Sequence, residues 1–324
     1  MHTVFDIDTR LDPELATVRA FHPNLGFDLT DIEGSRSIIR KVNERLPVPA
    51  ASEVILTNQR VQLPAKSQSI DLLIIRPTGI SMPDQRLPVL LWFHGGGYCM
   101  GSARDNVQRL AGIARQTQCA VISVDYRLAP ENPYPAALDD GVAAFEWVVA
   151  NGKQLGCATN KVAVGGASAG AGLAAAVALF LRDKPTLQPK FQLLIYPMLD
   201  DRGRTPSSYA ITDSKLWNRE TNSMAWALYH GEQAGRSDVP AYAAPSRATD
   251  LSRLPPAFIA VGDLDIFLDE NVEYASRLGR SGVPAELHVY PGAIHGFDIL
   301  APTSHLAAQI NHDVERALVR AWAT

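Results

Sequence analysis

Beyond residue 50 the chain alternates short apolar runs, rich in β-branched residues, with longer stretches of helical spacing. The runs at 53–61, 70–76, 89–93, 120–125, 161–164, 191–196, 257–261 and 286–290 predict about eight strands. Helical stretches at 106–116, 136–150, 169–182, 270–280 and 305–322 separate most of the later ones. This order predicts an α/β fold in which a mostly parallel sheet carries helices on both faces.

Two segments depart from that rhythm. The first fifty residues read as helical: Asp12-Pro13-Glu14 offers an N-cap, a proline at the first helical position and an early acid. A second helix is expected over 37–46, ended by Pro47 and Pro49. Residues 201–254 form the longest interval without a strand and carry Trp217, Trp226, Tyr229 and Tyr242 among polar residues. We expect 1–50 and 201–254 to form a helical cap above the C-terminal strand edge, where open α/β sheets hold their ligands. Residues 51–200 and 255–324 then make the domain beneath. An ordinary surface excursion is the plainer reading of the insertion.

A chain of 324 residues, 46% of them apolar, can bury a large core. Its net charge of −4 is spread without long runs of one sign, which argues against nucleic acid and membrane surfaces as partners. Residues 162–181 lack charge over a membrane-spanning length, but Gly165, Gly166, Gly170 and Gly172 favour a turn between two buried elements, so no span is expected. Residues 1–10 have early acids and no apolar stretch after a basic start, which suggests a cytoplasmic protein. Cys99, Cys119 and Cys157 lack metal-ligand spacing and suit reduced, buried thiols; only Cys99 lies near a motif that could touch a ligand.

Candidate chemistry begins at Gly166-Ala167-Ser168-Ala169-Gly170, a G-x-S-x-G sequence between a predicted strand and an alanine-rich helix. Such a turn exposes Ser168 above the sheet, and the helix N-terminus below it favours negative charge. Read as a dinucleotide fingerprint, Gly170 and Gly172 would fall inside the helix and not in the turn before it. The strand at 89–93 runs into His94-Gly95-Gly96-Gly97-Tyr98. Glycines there let backbone N–H groups, with that of Ala169, approach an oxyanion. His94 reads as a brace for this loop.

A serine nucleophile needs a base, and the base an orienting acid. His295 follows the last strand and so reaches the rim; His288 lies within that strand, and His230 is expected on the surface of the insertion. Asp263, Asp265 and Asp269 follow the strand at 257–261, with Asp269 and Glu270 reading as the N-cap and first turn of the next helix. Position alone leaves Asp263 and Asp265 open. Tyr126 to Glu131 with Pro133 and Pro135 reads as a proline-fixed loop in which Arg127 and Glu131 are available for pairing.

Taken together, these motifs resemble the hormone-sensitive lipase family of esterases within the α/β-hydrolases. The likeness rests on His94 to Gly97, the Tyr126 to Glu131 run with Pro135, Ala136 and Asp139, Gly166 to Gly170, and Asp265 to Glu270 with His295-Gly296-Phe297. It implies the α/β-hydrolase fold, a cap, and Ser168, His295 and Asp265 as a catalytic triad. It also implies Gly96, Gly97 and Ala169 as oxyanion donors, with Gly95 adjacent. Ala167 departs from the acid usual before the serine. The resemblance implies a small-molecule ester as substrate and neither a metal nor an organic cofactor. Tyr98, Trp217, Trp226 and Tyr229 are candidate pocket walls, which would suit short to medium acyl chains. An amidase, a lactonase or a small-molecule receptor on the same scaffold are the alternatives, and His295 speaks against the receptor. A homodimer is compatible with the sequence.

Overall fold

A computed structural model describes residues 6–21, 27–45, 48–63, 68–79, 86–184 and 186–323. Three helices come first: α1 (Ile7–Arg10), α2 (Pro13–Phe21) and α3 (Ile32–Arg45). The Asp12 carboxylate accepts the Glu14 amide at 2.9 Å, which starts α2 at its proline. Helix α3 begins at Ile32 and not at residue 37, because the Asp31 carboxylate accepts the Gly34 amide at 2.9 Å and caps a turn that apolar spacing does not reveal. Its expected end at Leu46 and Pro47 lies outside the described residues.

Eight strands follow, close to the apolar runs: β1 (Val54–Gln62), β2 (Ser69–Pro77), β3 (Leu87–Phe93), β4 (Ala120–Asp125), β5 (Cys157–Ala167), β6 (Phe191–Ile195), β7 (Ala257–Leu264) and β8 (Ala285–Ile294). They form one sheet in the order β1-β2-β4-β3-β5-β6-β7-β8. From β4 to β8 every pairing is parallel, whereas β1 with β2 and β2 with β4 run antiparallel. The connection between β1 and β2 is too short for a crossover, so those two strands make a hairpin.

The remaining helices are α4 (Val107–Thr117), α5 (Ala136–Asn151), α6 (Ala169–Leu181), α7 (Pro206–Ala210), α8 (Arg219–His230), α9 (Leu268–Arg280), α10 (Phe297–Leu300) and α11 (His305–Ala323). From β3 the chain steps one way to β4, then reverses and passes through β5, β6, β7 and β8. Right-handed crossovers therefore put α4 on one face and α5, α6 and α9 on the other. Contacts of α4 with α11 and of α5 with α6 follow that division. The reversal lies at β3, so the loops after β3 and β5 diverge above the C-terminal edge and leave a crevice.

The core is densest where β3 and α6 meet: Val89, Leu90, Leu91 and Phe93 are wholly buried, as are Ala174, Ala175, Val177 and Ala178. That burial explains the uncharged run at 162–181; among the described residues no helix is long and apolar enough to cross a membrane. Residues 201–254 hold α7, α8 and short 3-10 turns without a strand.

Arg127, read from the sequence as available for pairing, meets Asp140. Position 140 is the one that α5 turns inward, and Asp140 is fully buried. Its carboxylate accepts the Arg127 amide at 2.8 Å and the guanidinium at 2.7 Å. Replacing Arg127 by methionine leaves that buried charge unpaired and should destabilise the protein by about 3–5 kcal/mol, read as a lowered urea midpoint; an unchanged midpoint would contradict this role. All three cysteines are buried thiols. Burial pushes Cys99 and Cys119 up to about 12 and Cys157 to about 11, so little reactive thiolate exists near neutrality. Native protein should take up almost no iodoacetamide, and denatured protein should take up three equivalents, one per cysteine.

Candidate active site

Strand β5 ends at Ala167 and α6 begins at Ala169, so Ser168 is the single residue between them, at φ +56° and ψ −124°. This turn closes only on glycine. A Cβ on Gly166 would lie 2.3 Å from the Gly170 carbonyl carbon, and one on Gly170 would lie 2.1 Å from the Phe93 oxygen. With those side chains absent, α6 starts hard against the end of β3, and Ser168 stands over the sheet edge.

The loops after β7 and β8 bring two further side chains to the serine. His295 Nε2 lies 2.9 Å from Ser168 Oγ, and Nδ1 lies 2.7 Å from Asp265 Oδ2. With its proton on Nδ1, the ring donates to Asp265 and leaves Nε2 to accept from the serine hydroxyl. The second Asp265 oxygen accepts the Phe267 amide at 2.9 Å, and this residue is 1% exposed. Tyr196 and Phe267 meet the imidazole edge-on, with ring centroids 4.8 and 5.1 Å away.

Asp263, level with Asp265 in the sequence, serves a different contact. It accepts the Gly292 amide at 2.7 Å and pairs with Arg10 at 2.8 Å, while the Asp12 amide donates to Gly292 O at 3.0 Å. These bonds brace the stretch that carries His295. Asp269 is not an N-cap, since Phe267 holds that position; it sits in the first turn of α9 and accepts the Ser207 amide at 2.6 Å.

Past β3 the chain doubles back through Gly96 (φ +110°) and Gly97 (φ +63°). A Cβ on Gly96 would meet Met100 O at 2.3 Å. Among the described residues the amides of Gly95, Gly96, Gly97 and Ala169 donate to no backbone carbonyl. His94 lies behind this loop, with Nδ1 2.8 Å from Gly95 O and its ring stacked on Tyr126 at 4.1 Å; Tyr126 Oη donates to His94 O at 2.8 Å.

A cavity of about 270 Å³ opens beside Ser168 and His295. Of the four aromatics proposed for its wall, Trp217 is there. Tyr98, Trp226 and Tyr229 are not: they form a buried cluster in which Tyr98 stacks on Tyr229 at 3.9 Å. Most of the apolar wall comes from residues that carry no motif, namely Phe27, Ile38, Ile39, Leu216, Ile299 and Leu300. Cys99 is buried and does not line the cavity. His230, expected at the surface, is buried on the inner face of α8 and stacked on Trp226 at 5.1 Å.

Two supports lay beyond sequence reasoning. Arg36 on α3 donates to Cys99 O at 2.8 Å and Ala129 O at 2.9 Å and pairs with Glu131 at 2.8 Å, which ties that helix to the glycine loop. Behind His295, buried Asp298 accepts the Tyr196 hydroxyl at 2.8 Å and pairs with Arg109. The partners are distant in sequence, and no local pattern marks them. Among the described residues Asp12, Glu14 and His305 bring metal-ligand-type atoms together, but none of the three lines the cavity.

The sequence profile of the α/β-hydrolase fold family matches residues 90–299. The esterase LipI of Mycobacterium tuberculosis is 38% identical over 216 residues, which cover 66% of this chain and 67% of that protein. The carboxylesterase NlhH of Mycobacterium tuberculosis is 37% identical over 239 residues, 72% of this chain and 74% of that one. Among solved structures, a bacterial heroin esterase superposes with a TM-score of 0.89 at 36% identity, covering 97% of this chain and 98% of its own. The esterase LipW of Mycobacterium marinum gives 0.88 at 34% identity over 100% and 99%.

The turn that holds Ser168 can be tested through its packing. Gly170→Ala forces a methyl into the β3 backbone and should lower stability by about 1–3 kcal/mol, seen as a lower Tm with reduced activity; an unshifted Tm would show that the helix yields freely there.

Proposed function

The chain belongs to the α/β-hydrolase fold family, in the branch of hormone-sensitive-lipase-like esterases, and from that premise we propose that it hydrolyses short to medium acyl esters through Ser168, His295 and Asp265. The observation that carries this reading is the unbroken hydrogen-bonded line from Asp265 through His295 to Ser168, assembled from three separate strand ends. In this scheme Ser168 Oγ attacks the ester carbonyl while His295 takes its proton. Asp265 holds the imidazole and stabilises its charged form. The amides of Gly96, Gly97 and Ala169 receive the oxyanion, with Gly95 beside them. His295 then returns the proton to the leaving alcohol, and water releases the acid from the acyl-enzyme.

The modest, apolar cavity supports the acyl range. In this scheme residues 1–50 and 201–254 act as the cap, which reaches the cavity through Phe27, Ile38, Ile39 and Asn43 from the first segment and Lys215, Leu216 and Trp217 from the second. Residues 51–200 and 255–324 form the catalytic domain.

Ser168→Ala or His295→Ala should lower kcat on p-nitrophenyl butyrate on the order of a thousandfold or more with an unchanged circular dichroism spectrum. A Ser168→Ala protein that retains activity would refute the scheme.

A further inference from the structure

One carboxylic acid stands in the otherwise chiefly apolar cavity beside Ser168. Asp105 belongs to the loop between β3 and α4 and shares the cavity wall with Gly95, Gly96 and Gly101. Neutral groups hold one of its oxygens: Oδ1 accepts from Asn43 Nδ2 at 2.6 Å and from Ser102 Oγ at 2.8 Å. Among the described residues no side chain donates to Oδ2, and no lysine, arginine or histidine forms an ion pair with the carboxylate. Burial raises the pKa of this acid, and nearby Asp125 pushes the same way against the opposing effects of His94 and Ser102.

Asp105 is half-buried, at the border between this cavity and a more polar cleft lined by Arg36 and Arg104, and a carboxylate facing an apolar wall is poorly solvated on that side. Packing alone would be served as well by an amide or an apolar residue. Lys215, which also lines the cavity, raises no such question, because it is exposed and keeps its hydration. A hydroxyl could satisfy the free lone pairs of Oδ2, but an ammonium supplies both the donor and the counter-charge.

We infer that Asp105 is a binding subsite for a protonated amino group carried by the substrate, so that the preferred substrates are amine-bearing esters. The inference rests on the ester-hydrolase reading of the same cavity. The ester bond is cleaved at Ser168, while Asp105 fixes the end of the substrate that does not react.

A matched pair of esters tests it: 2-(dimethylamino)ethyl butyrate, protonated at neutral pH, and 3-methylbutyl butyrate, its neutral isostere. Their kcat/KM values are compared after division by their rates with hydroxide, which removes the difference in intrinsic reactivity. A charge-assisted contact predicts that the wild type favours the amine by about tenfold or more, and that Asp105→Asn loses this preference by a similar factor. The readout is the ratio within each protein, so a change in overall rate does not disturb it. A wild-type ratio near one overturns the inference even if the variant fails to fold, and so does a ratio that survives in Asp105→Asn. Turnover of the neutral ester with a ratio near one leaves ester hydrolysis standing and removes only the amine subsite. No turnover of either ester removes the reading on which the subsite rests.

Discussion

Close backbone contact between the start of α6 and the end of β3 is the constraint from which the rest follows. Gly170 allows the helix to begin against the Phe93 carbonyl, and Gly166 allows the turn to fold back over it. The single residue left between strand and helix must take a left-handed φ, a conformation that is unfavourable by about 1–3 kcal/mol for a residue with a side chain. That strain persists because both flanks are packed. Behind it α6 is a run of small buried side chains that lets the helix axis come close to the sheet. The turn therefore inherits its rigidity from the core and not from the cavity it faces.

The other site groups are held differently, by polar ties that cross long stretches of chain. Asp298 links Tyr196 to Arg109 behind the imidazole, and Arg36 fastens α3 to the carbonyls of Cys99 and Ala129. Each tie joins a segment that borders the cavity to the sheet domain. The cavity walls thus move with the loops they cover, which suits a site whose geometry must be fixed before a ligand arrives.

Sequence patterning reached the sheet almost completely, because buried strands must be apolar and their runs report burial directly. It reached Ser168, His295 and the glycine loop because each demands a residue type at a chain position that topology fixes. It stopped where side-chain direction decides. Arg127 was legible as a residue available for pairing, but its partner Asp140 was not, since only the turn of α5 shows that this side chain points inward. Tyr98, Trp226 and Tyr229 looked like cavity walls, yet the two aromatics of the insertion pack against Tyr98 of the glycine loop. Asp263, near the end of β7, and Asp265, just past it, could not be separated by position; the family resemblance pointed to Asp265, and the structure gives the two different partners. The apolar wall itself was unreadable, since isolated residues such as Ile39 and Leu300 carry no spacing signal.

The bonds around Asp263 give the beginning of the described chain an importance that its small helices do not advertise. Arg10 and Asp12 meet the two ends of one short bridge, Asp263 and Gly292, that runs beneath the imidazole-bearing turn. Whatever loosens residues 10–12, whether a fused tag or a proteolytic nick, reaches the histidine-bearing turn through Asp263 and Gly292 and also frees buried Leu11 from the core. One short segment thus serves both as a peg in the core and as a brace for the imidazole, so its loss would be felt in the fold and at the rim together.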